Sequence, residues 1–433
     1  MWIIQLFVVL LAIYIGSRLG SIAIGYAGGL GVLVLCLLLG MKPGNIPIDV
    51  IMIIMSVISA IAAMQMAGGL DYMVKVAEKF LRKHPKQITF LAPMVTYLMT
   101  ILAGTGHTAY STLPVIAEVA KEQGIRPSRP LSIAVVASQI AITASPISAA
   151  VVFVSGALEK QGVGYLELLA IAIPTTFVAC MLTAVLCNFM GKELKDDPVY
   201  QQRLKDGLVT LRGEQEVEIK PFAKQSVWIF LVTIVAVVIY ATLISDKVGI
   251  IKNPTLPRNE AIMTFMLAAA TLIAWFGKLN TNNILNAPTF KSGMSACICV
   301  LGVAWLGDTF VSGHLDAIKA FASSLLDQYP WMLAVTFFFA SMLLYSQAAT
   351  AKALLPAALA LGVSPLTAIA SFPAVSALFV LPTYPTLLAA VEMDDTGSTR
   401  IGNFVFNHPF LIPGTVAIVL SVIFGFVVGS VVL

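Results

Sequence analysis

Long unbroken apolar stretches dominate the chain. Runs of about 18 or more largely apolar residues recur at 21–40, 48–67, 131–157, 165–190, 227–245, 260–276, 292–312 and 410–433, each long enough to cross a hydrocarbon core of about 30 Å as a helix. Helix satisfies every backbone polar group within one segment, so the pattern predicts an all-α polytopic membrane protein. The first stretch, "MWIIQLFVVLLAIYIG", lacks a basic n-region and a small-residue cleavage site, and it predicts a retained transmembrane helix. One interruption falls where open backbone costs most. At 101–120, "ILAGTGHTAYSTLPVIAEVA" reads as helix up to Gly104, Thr105, Gly106 and His107, then becomes helical again.

Composition supports the membrane reading, with 58% hydrophobic residues, 11% charged residues and a mean hydropathy of +0.92, outside the range of soluble domains. Membrane lipid is therefore one partner. The five cysteines (Cys36, Cys180, Cys187, Cys297, Cys299) lie inside apolar segments without metal-ligand spacing and read as small core residues. Trp2, Trp228, Trp275 and Trp331 fall near segment ends, where an aromatic belt would put them. The net charge of +4 is spread over loops and makes no basic patch, which argues against a nucleic-acid partner.

The one long hydrophilic stretch, 191–226, divides the chain near its midpoint and reads as a linker. The halves on either side share landmarks. "TAYSTLP" at 108–114 recurs as "TAKALLP" at 350–356, and about 16 residues after "PLS" (130–132) and "PLT" (365–367) come the breaks "TASP" (143–146) and "LPTYP" (381–385). Asp71 and Asp308 each precede an amphipathic segment, 72–83 (Met73, Val76, Phe80) and 315–327 (Ile318, Phe321, Leu325), ending in "HP" or "YP". These landmarks keep one order, which argues for an internal repeat.

Charge then orients the repeat. The basic loops at 72–86, 121–130 and 191–226 belong in the cytoplasm by the positive-inside rule. Residues 88–120 must then enter and leave on the same side, as a re-entrant hairpin with its tip at 104–107. The second half starts from the opposite face, and its own hairpin, about 331–361, enters from outside. The expectation is an inverted repeat of two halves, 1–190 and 227–433, each of five transmembrane helices and one hairpin, with both termini periplasmic. Inverted repeats with discontinuous helices mark secondary transporters, whose sites lie where the broken helices meet.

Four breaks should converge: Gly104–Thr108, Thr143–Ser148, Ser346–Thr350 and Pro382–Thr386. They carry Thr105, Thr108, Thr143, Ser145, Ser148, Ser346, Gln347, Thr350, Thr383 and Thr386, with Ser111 close by. A helix restarting at such a break presents unpaired N–H groups and a positive dipole end, which suit an anion. Two such cradles suit a ligand with a carboxylate at each end. The competing reading is that Ser and Thr bond the preceding turn and the prolines merely kink long helices.

Lys352 is the lone full charge in either "TAxxxLP" segment, and an intramembrane cation is a functional hypothesis by default. Its alternative is snorkelling, for which the side chain would have to climb on the order of 15 Å of helix to the loop near Gly362. Asp71 and Asp308, at span ends, read as helix caps. His107 at a tip could couple a proton or simply hold a polar partner. The other histidines, His84, His314 and His408, are scattered, and neither H-E-x-x-H nor G-x-S-x-G occurs, so no metal, cofactor or hydrolase is indicated.

A resemblance adds to this reading. "KPGNIP", "AGGLDY", "LPVIAEVAKEQG", "ITASPISAAVV", "MSACICVLGVAWLGDTF", "LLYSQAATAKALLP" and "LPTYPTLLAAVEMDDTGSTRIGNFVFNHPF" are similar to the Dcu family of anaerobic C4-dicarboxylate transporters, particularly its DcuA/DcuB branch, and the similarity runs essentially end to end. It implies exchange of fumarate, malate, succinate or aspartate across the bacterial inner membrane in fumarate respiration. It also implies an ion-transporter-superfamily-like fold that moves as an elevator, often in a homodimer. Where family members carry Asn and Ile, this chain has His107 and Thr108. The rival within transport is a cation-coupled dicarboxylate symporter. An ion channel is the rival outside it, but a channel needs rings of carbonyls or like charges.

Overall fold

The computed structural model describes residues 2–433 except 20–21, 47, 160, 210–217, 245–249, 315–328, 345, 383 and 403–405. At 17, 18, 24, 50, 107, 111, 288, 292, 296, 300, 303, 304, 311 and 343 it describes the backbone alone. The expected amphipathic segment 315–327, Thr383 and the side chains of His107 and Ser111 thus lie outside what is described.

Among the described residues every regular element is helical. Three apolar helices come first, α1 (Trp2–Leu19), α2 (Ala23–Leu33, continued by a π turn, Val34–Leu38) and α3 (Ile48–Met66). The chain then bends by 73° at Gly68, whose φ of +85° a side chain would resist, into the amphipathic α4 (Gly69–Lys83). Leu70, Ala77 and Leu81 are the buried apolar side chains of α4, while Val76 and Phe80 stay exposed, as suits a helix lying along a bilayer surface.

The first hairpin is α5 (Ile88–Ala103) and α6 (Ala109–Glu122), followed by α7 (Ser128–Ile140), a 3-10 turn (Ala141–Ala144), α8 (Ala149–Glu159) and α9 (Tyr165–Asn188). Short α10 (Pro198–Lys205) lies in the linker, and α11 (Ala223–Leu243), α12 (Arg258–Phe276) and α13 (Pro288–Gly313) open the second half. Its hairpin is α14 (Met332–Leu344) and α15 (Gln347–Ala360). Then come α16 (Pro365–Ser371), a 3-10 run (Phe372–Phe379), α17 (Pro385–Met393) and α18 (Leu411–Val432).

Among the described residues, buried apolar side chains gather into three cores. The largest gathers α4 to α9 with α14 to α18. A second gathers α3, α11 and α12, and a third α1, α2 and α13. The contacts are reciprocal between halves: α2 packs on α13 as α3 packs on α12, and α6 packs on α17 as α15 packs on α8. In the α2–α13 pair the backbones nearly touch. A Cβ at Gly302 would sit 1.9 Å from the Gly25 carbonyl oxygen, so glycine there permits the crossing.

The ends of α6, α9 and α17 share one face with α4 and the linker, while the ends of α8 and α15 share the other with the starts of α3 and α12. Trp2, Trp228, Trp275 and Trp331 are all exposed. All five cysteines are free, three of them buried and two half-buried.

Candidate functional site

The break at 104–108 forms because Gly104, at φ +67°, ends α5 in the left-handed region, and a 3-10 turn (Gly106–Thr108) then leads into α6. The break after α7 leaves 145–148 outside any helix, with Ser145 extended. The α14–α15 break is short: Ser346 caps α15, its hydroxyl accepting the Ala349 N–H at 3.2 Å.

The fourth break is longer than the sequence implied. Its 3-10 run begins at Phe372, ten residues ahead of Pro382, and carries a non-helical Ala377. Pro373 disrupts regular helix there, and the Ser341 hydroxyl accepts the Ala377 N–H at 3.2 Å, stabilising the kink from the neighbouring helix α14.

Many of the expected hydroxyls bond close to home. Thr143 donates to the Ile140 carbonyl at 2.7 Å, Thr350 to the Ser346 carbonyl at 2.8 Å, and Thr108 to the Thr105 carbonyl at 3.2 Å. Ser148 donates to the Ile142 carbonyl at 2.7 Å and accepts the Val151 N–H. Ser145 reaches further, donating to the Ile101 carbonyl at 2.7 Å and so tying the second break to the first hairpin.

Gln347 and Thr386 meet through a residue that sequence reasoning missed, Gln139. The Gln347 amide donates to the backbone and side-chain oxygens of Gln139, both at 3.2 Å, and the Gln139 amide donates to the Thr386 hydroxyl at 3.0 Å. Ser376 donates to the Gln139 carbonyl at 3.3 Å. Gly106, at the first hairpin tip, lies so close that a Cβ there would be 3.1 Å from the Gln139 amide nitrogen. A polar centre at the end of α7 thus joins the second hairpin and the fourth break, with the first hairpin tip against it. The signal for Gln139 was available, an amide inside the apolar run 131–157.

Lys352 faces elsewhere. It lines a cavity of about 650 Å³ with Asp49, Phe153, Gln161 and Asn259, between α15 and α8 on one side and α3 and α12 on the other. Its ammonium lies 5.8 Å from the centre of the Phe153 ring, and Asp49 and Asp308 are the carboxylates whose charge acts on it. Asp308 also has structural work: it accepts the Asn45 N–H at 2.5 Å, and its neighbour Thr309 accepts the Gly44 N–H at 3.0 Å, which fastens the loop before α3 to the end of α13.

On the opposite face a polar network holds the linker against the loops after α6 and α17. Asp197 caps α10 and pairs with Arg126, which also donates to Ser128. Burial pushes the Asp197 carboxyl up, but the Val199 N–H and the Arg126 guanidinium outweigh it and hold its pKa below the ordinary carboxylate value. Asp394 accepts the Thr396 and Thr399 N–H groups, and Ser398 bridges Asp394 to the Ser128 N–H.

Fold and site together define a multi-pass helical membrane protein whose discontinuous helices meet at a buried polar centre, the architecture expected of a secondary transporter. The chain belongs to the DcuA/DcuB family, whose model, described as an anaerobic C4-dicarboxylate membrane transporter, matches residues 1–433. This is a family of transporters, not of enzymes. The chain is 71% identical to the C4-dicarboxylate transporter DcuA of Wolinella succinogenes, covering 100% of both chains. It is 62% identical to DcuA of Escherichia coli K12 with 99% of both covered, and 37% identical to the anaerobic C4-dicarboxylate transporter DcuB of Escherichia coli O6:H1, with 98% and 97% covered. The Alcanivorax borkumensis YdaH transporter shares the fold, with a TM-score of 0.59 at 14% identity over 99% and 98% of the two chains.

Proposed function

We propose that this protein is a secondary transporter that exchanges C4-dicarboxylates, such as fumarate, malate, aspartate and succinate, across the bacterial inner membrane in anaerobic fumarate respiration. The observation that carries this reading is the polar centre at Gln139, Gln347 and Thr386, near which helices restart at α6, α15 and α17. Their N-terminal N–H groups and dipoles offer an anion two cradles, one per half. The names of the relatives supply the substrate class.

The hairpin core, α4 to α9 with α14 to α18, is the moving body of an elevator, and the two smaller cores are its scaffold. The reciprocal packing of the halves supports an inverted repeat, because the α2–α13 and α6–α17 contacts find their counterparts in α3–α12 and α8–α15. With α4 and the linker in the cytoplasm, the Lys352 cavity opens toward the periplasm and both termini face the same way.

Counterflow tests the reading. Proteoliposomes loaded with unlabelled succinate and held without ion gradients should accumulate labelled fumarate, and empty ones should not. Uptake that needs a sodium or proton gradient and no internal dicarboxylate would replace exchange with symport.

A further inference from the structure

We propose that Gln139 is a positioning residue that sets the distance between the two carboxylate cradles and so selects the length of the transported diacid. The inference rests on the reading of the site as a dicarboxylate site, and it goes beyond the break residues.

Gln139 is 1% exposed and sits one residue before the end of α7, where the regular helix gives way to the 3-10 turn. Its backbone carbonyl, which accepts a backbone N–H at the helix cap, also takes Gln347 from the second hairpin and Ser376 from the kinked run after α16. Its side chain completes the span. The carbonyl end accepts from Gln347 and the amine end donates to Thr386, in the first turn of α17. Gly106 at the other tip rests against the same amide.

One side chain therefore touches or bonds the starting points of the structures that supply both cradles. No hydroxyl described above does so; Ser148 bonds within its own break, and Ser145 reaches only the first hairpin. An amide suits this role because it donates and accepts at once, with two donor hydrogens and an acceptor oxygen. Asparagine has the same groups but falls one methylene short. It could keep Gln347 or Thr386, and would leave the other without its partner, which loosens the distance between the tips without removing a packed side chain. Glutamate has the length but no donor. The Thr386 hydroxyl can turn to donate to it, so the internal bonds survive while a negative charge enters a site for dianions.

The test is competition in counterflow, in which unlabelled malonate, succinate, glutarate and butyrate displace labelled fumarate from the parent, Gln139→Asn and Gln139→Glu. Intact fold is read by gel filtration in detergent. For Gln139→Asn the preference for succinate over glutarate should fall about tenfold, as the site accepts the longer diacid, with maximal rate changed less than affinity. For Gln139→Glu, affinity for the dianions should fall at least tenfold, with little change in the folded yield.

A residue that only packs would tolerate Glu and leave the diacid preference of Asn at the parental ratio; those two results together overturn the proposal. Should Gln139→Glu fail to fold, the ratio in Gln139→Asn decides alone, and should both fail, the same ratio in Thr386→Val, which removes only the acceptor of the Gln139 amide, decides in their place. A parent that exchanges no dicarboxylate instead defeats the functional reading, a result distinguishable from failure of this one.

Discussion

Lys352 holds its ammonium 5.8 Å from the centre of the Phe153 ring, so a cation of the second hairpin rests on an aromatic face of α8. The contact joins the two halves on the wall of the cavity that α3 and α12 close. A π-face steadies a cation without neutralising it, so the ammonium, on which Asp49 and Asp308 also act, can still attract an anion entering the cavity.

The first prediction follows. A C4-dicarboxylate carries nearly two negative charges at neutral pH, and helix ends, each equivalent to about half a charge, compensate only part of that. Lys352→Gln should lower fumarate–succinate exchange in proteoliposomes roughly tenfold or more, with a much smaller effect on folded yield. Lys352→Arg should rescue in part, because the guanidinium is larger and planar. Exchange by Lys352→Gln at the parental rate and affinity would assign the charge compensation to backbone dipoles alone.

Ser145 gives a second prediction. Its hydroxyl donates at 2.7 Å to the Ile101 carbonyl near the end of α5, pinning the first hairpin tip to the break after α7. Ser145→Ala removes the bond without overpacking a buried site, at a cost of about 1 kcal/mol in stability. The tip then wanders, and apparent dicarboxylate affinity should drop severalfold while protein abundance is nearly unchanged. Parental affinity in this variant would show that the tip holds its place without the serine.

The breaks were legible because glycine and proline act locally: Gly104, Pro146 and Pro385 interrupt helix whatever surrounds them. What local pattern could not give was their meeting point. Gln139 and Gln347 are 208 positions apart, and no periodicity says that two amides so distant share hydrogen bonds. The same limit hid Asp49, Phe153 and Asn259 around Lys352, since each comes from a different helix. Residues 372–379 show the same limit in another way. Their apolar composition reads as helix, and the bond from Ala377 to Ser341 that supports the kink belongs to a neighbouring hairpin.

Acid sensitivity of the linker is a third prediction. Asp197 is 2% exposed, and its carboxyl is held below the ordinary value by the Val199 N–H and Arg126 against the opposing effect of burial. A group whose pKa is depressed by folding stabilises the fold above its unfolded value, about 3.9, and loses that contribution as pH falls through the lower folded value. Docking of 192–208 on the hairpin body should hold at neutral pH and release only in strong acid. Asp197→Asn should raise protease cleavage of this segment about tenfold or more at pH 7 and flatten its dependence on acid. Equal cleavage in the two proteins would mean that Arg126 and Asp197 do not hold the linker.

Orientation decides the direction of every proposed step, and it yields the last prediction. Lys121, Arg126 and Arg129 lie on the face that carries α4, the linker and the loop after α17, where Lys121 pairs with Asp395 at 3.0 Å and Arg129 with Glu193 at 3.0 Å. Positively charged loops are retained on the cytoplasmic side. Leu208, just after α10, is 57% exposed on that face. In a background without the native cysteines, Leu208→Cys should be protected from an impermeant thiol reagent in intact cells and labelled after the membrane is opened. A cysteine replacing Gln161, at the Lys352 cavity, should label in intact cells and be shielded by added dicarboxylate. Labelling of 208 from outside would reverse the orientation of both halves, and the cavity at Lys352 would become the cytoplasmic mouth of the transporter.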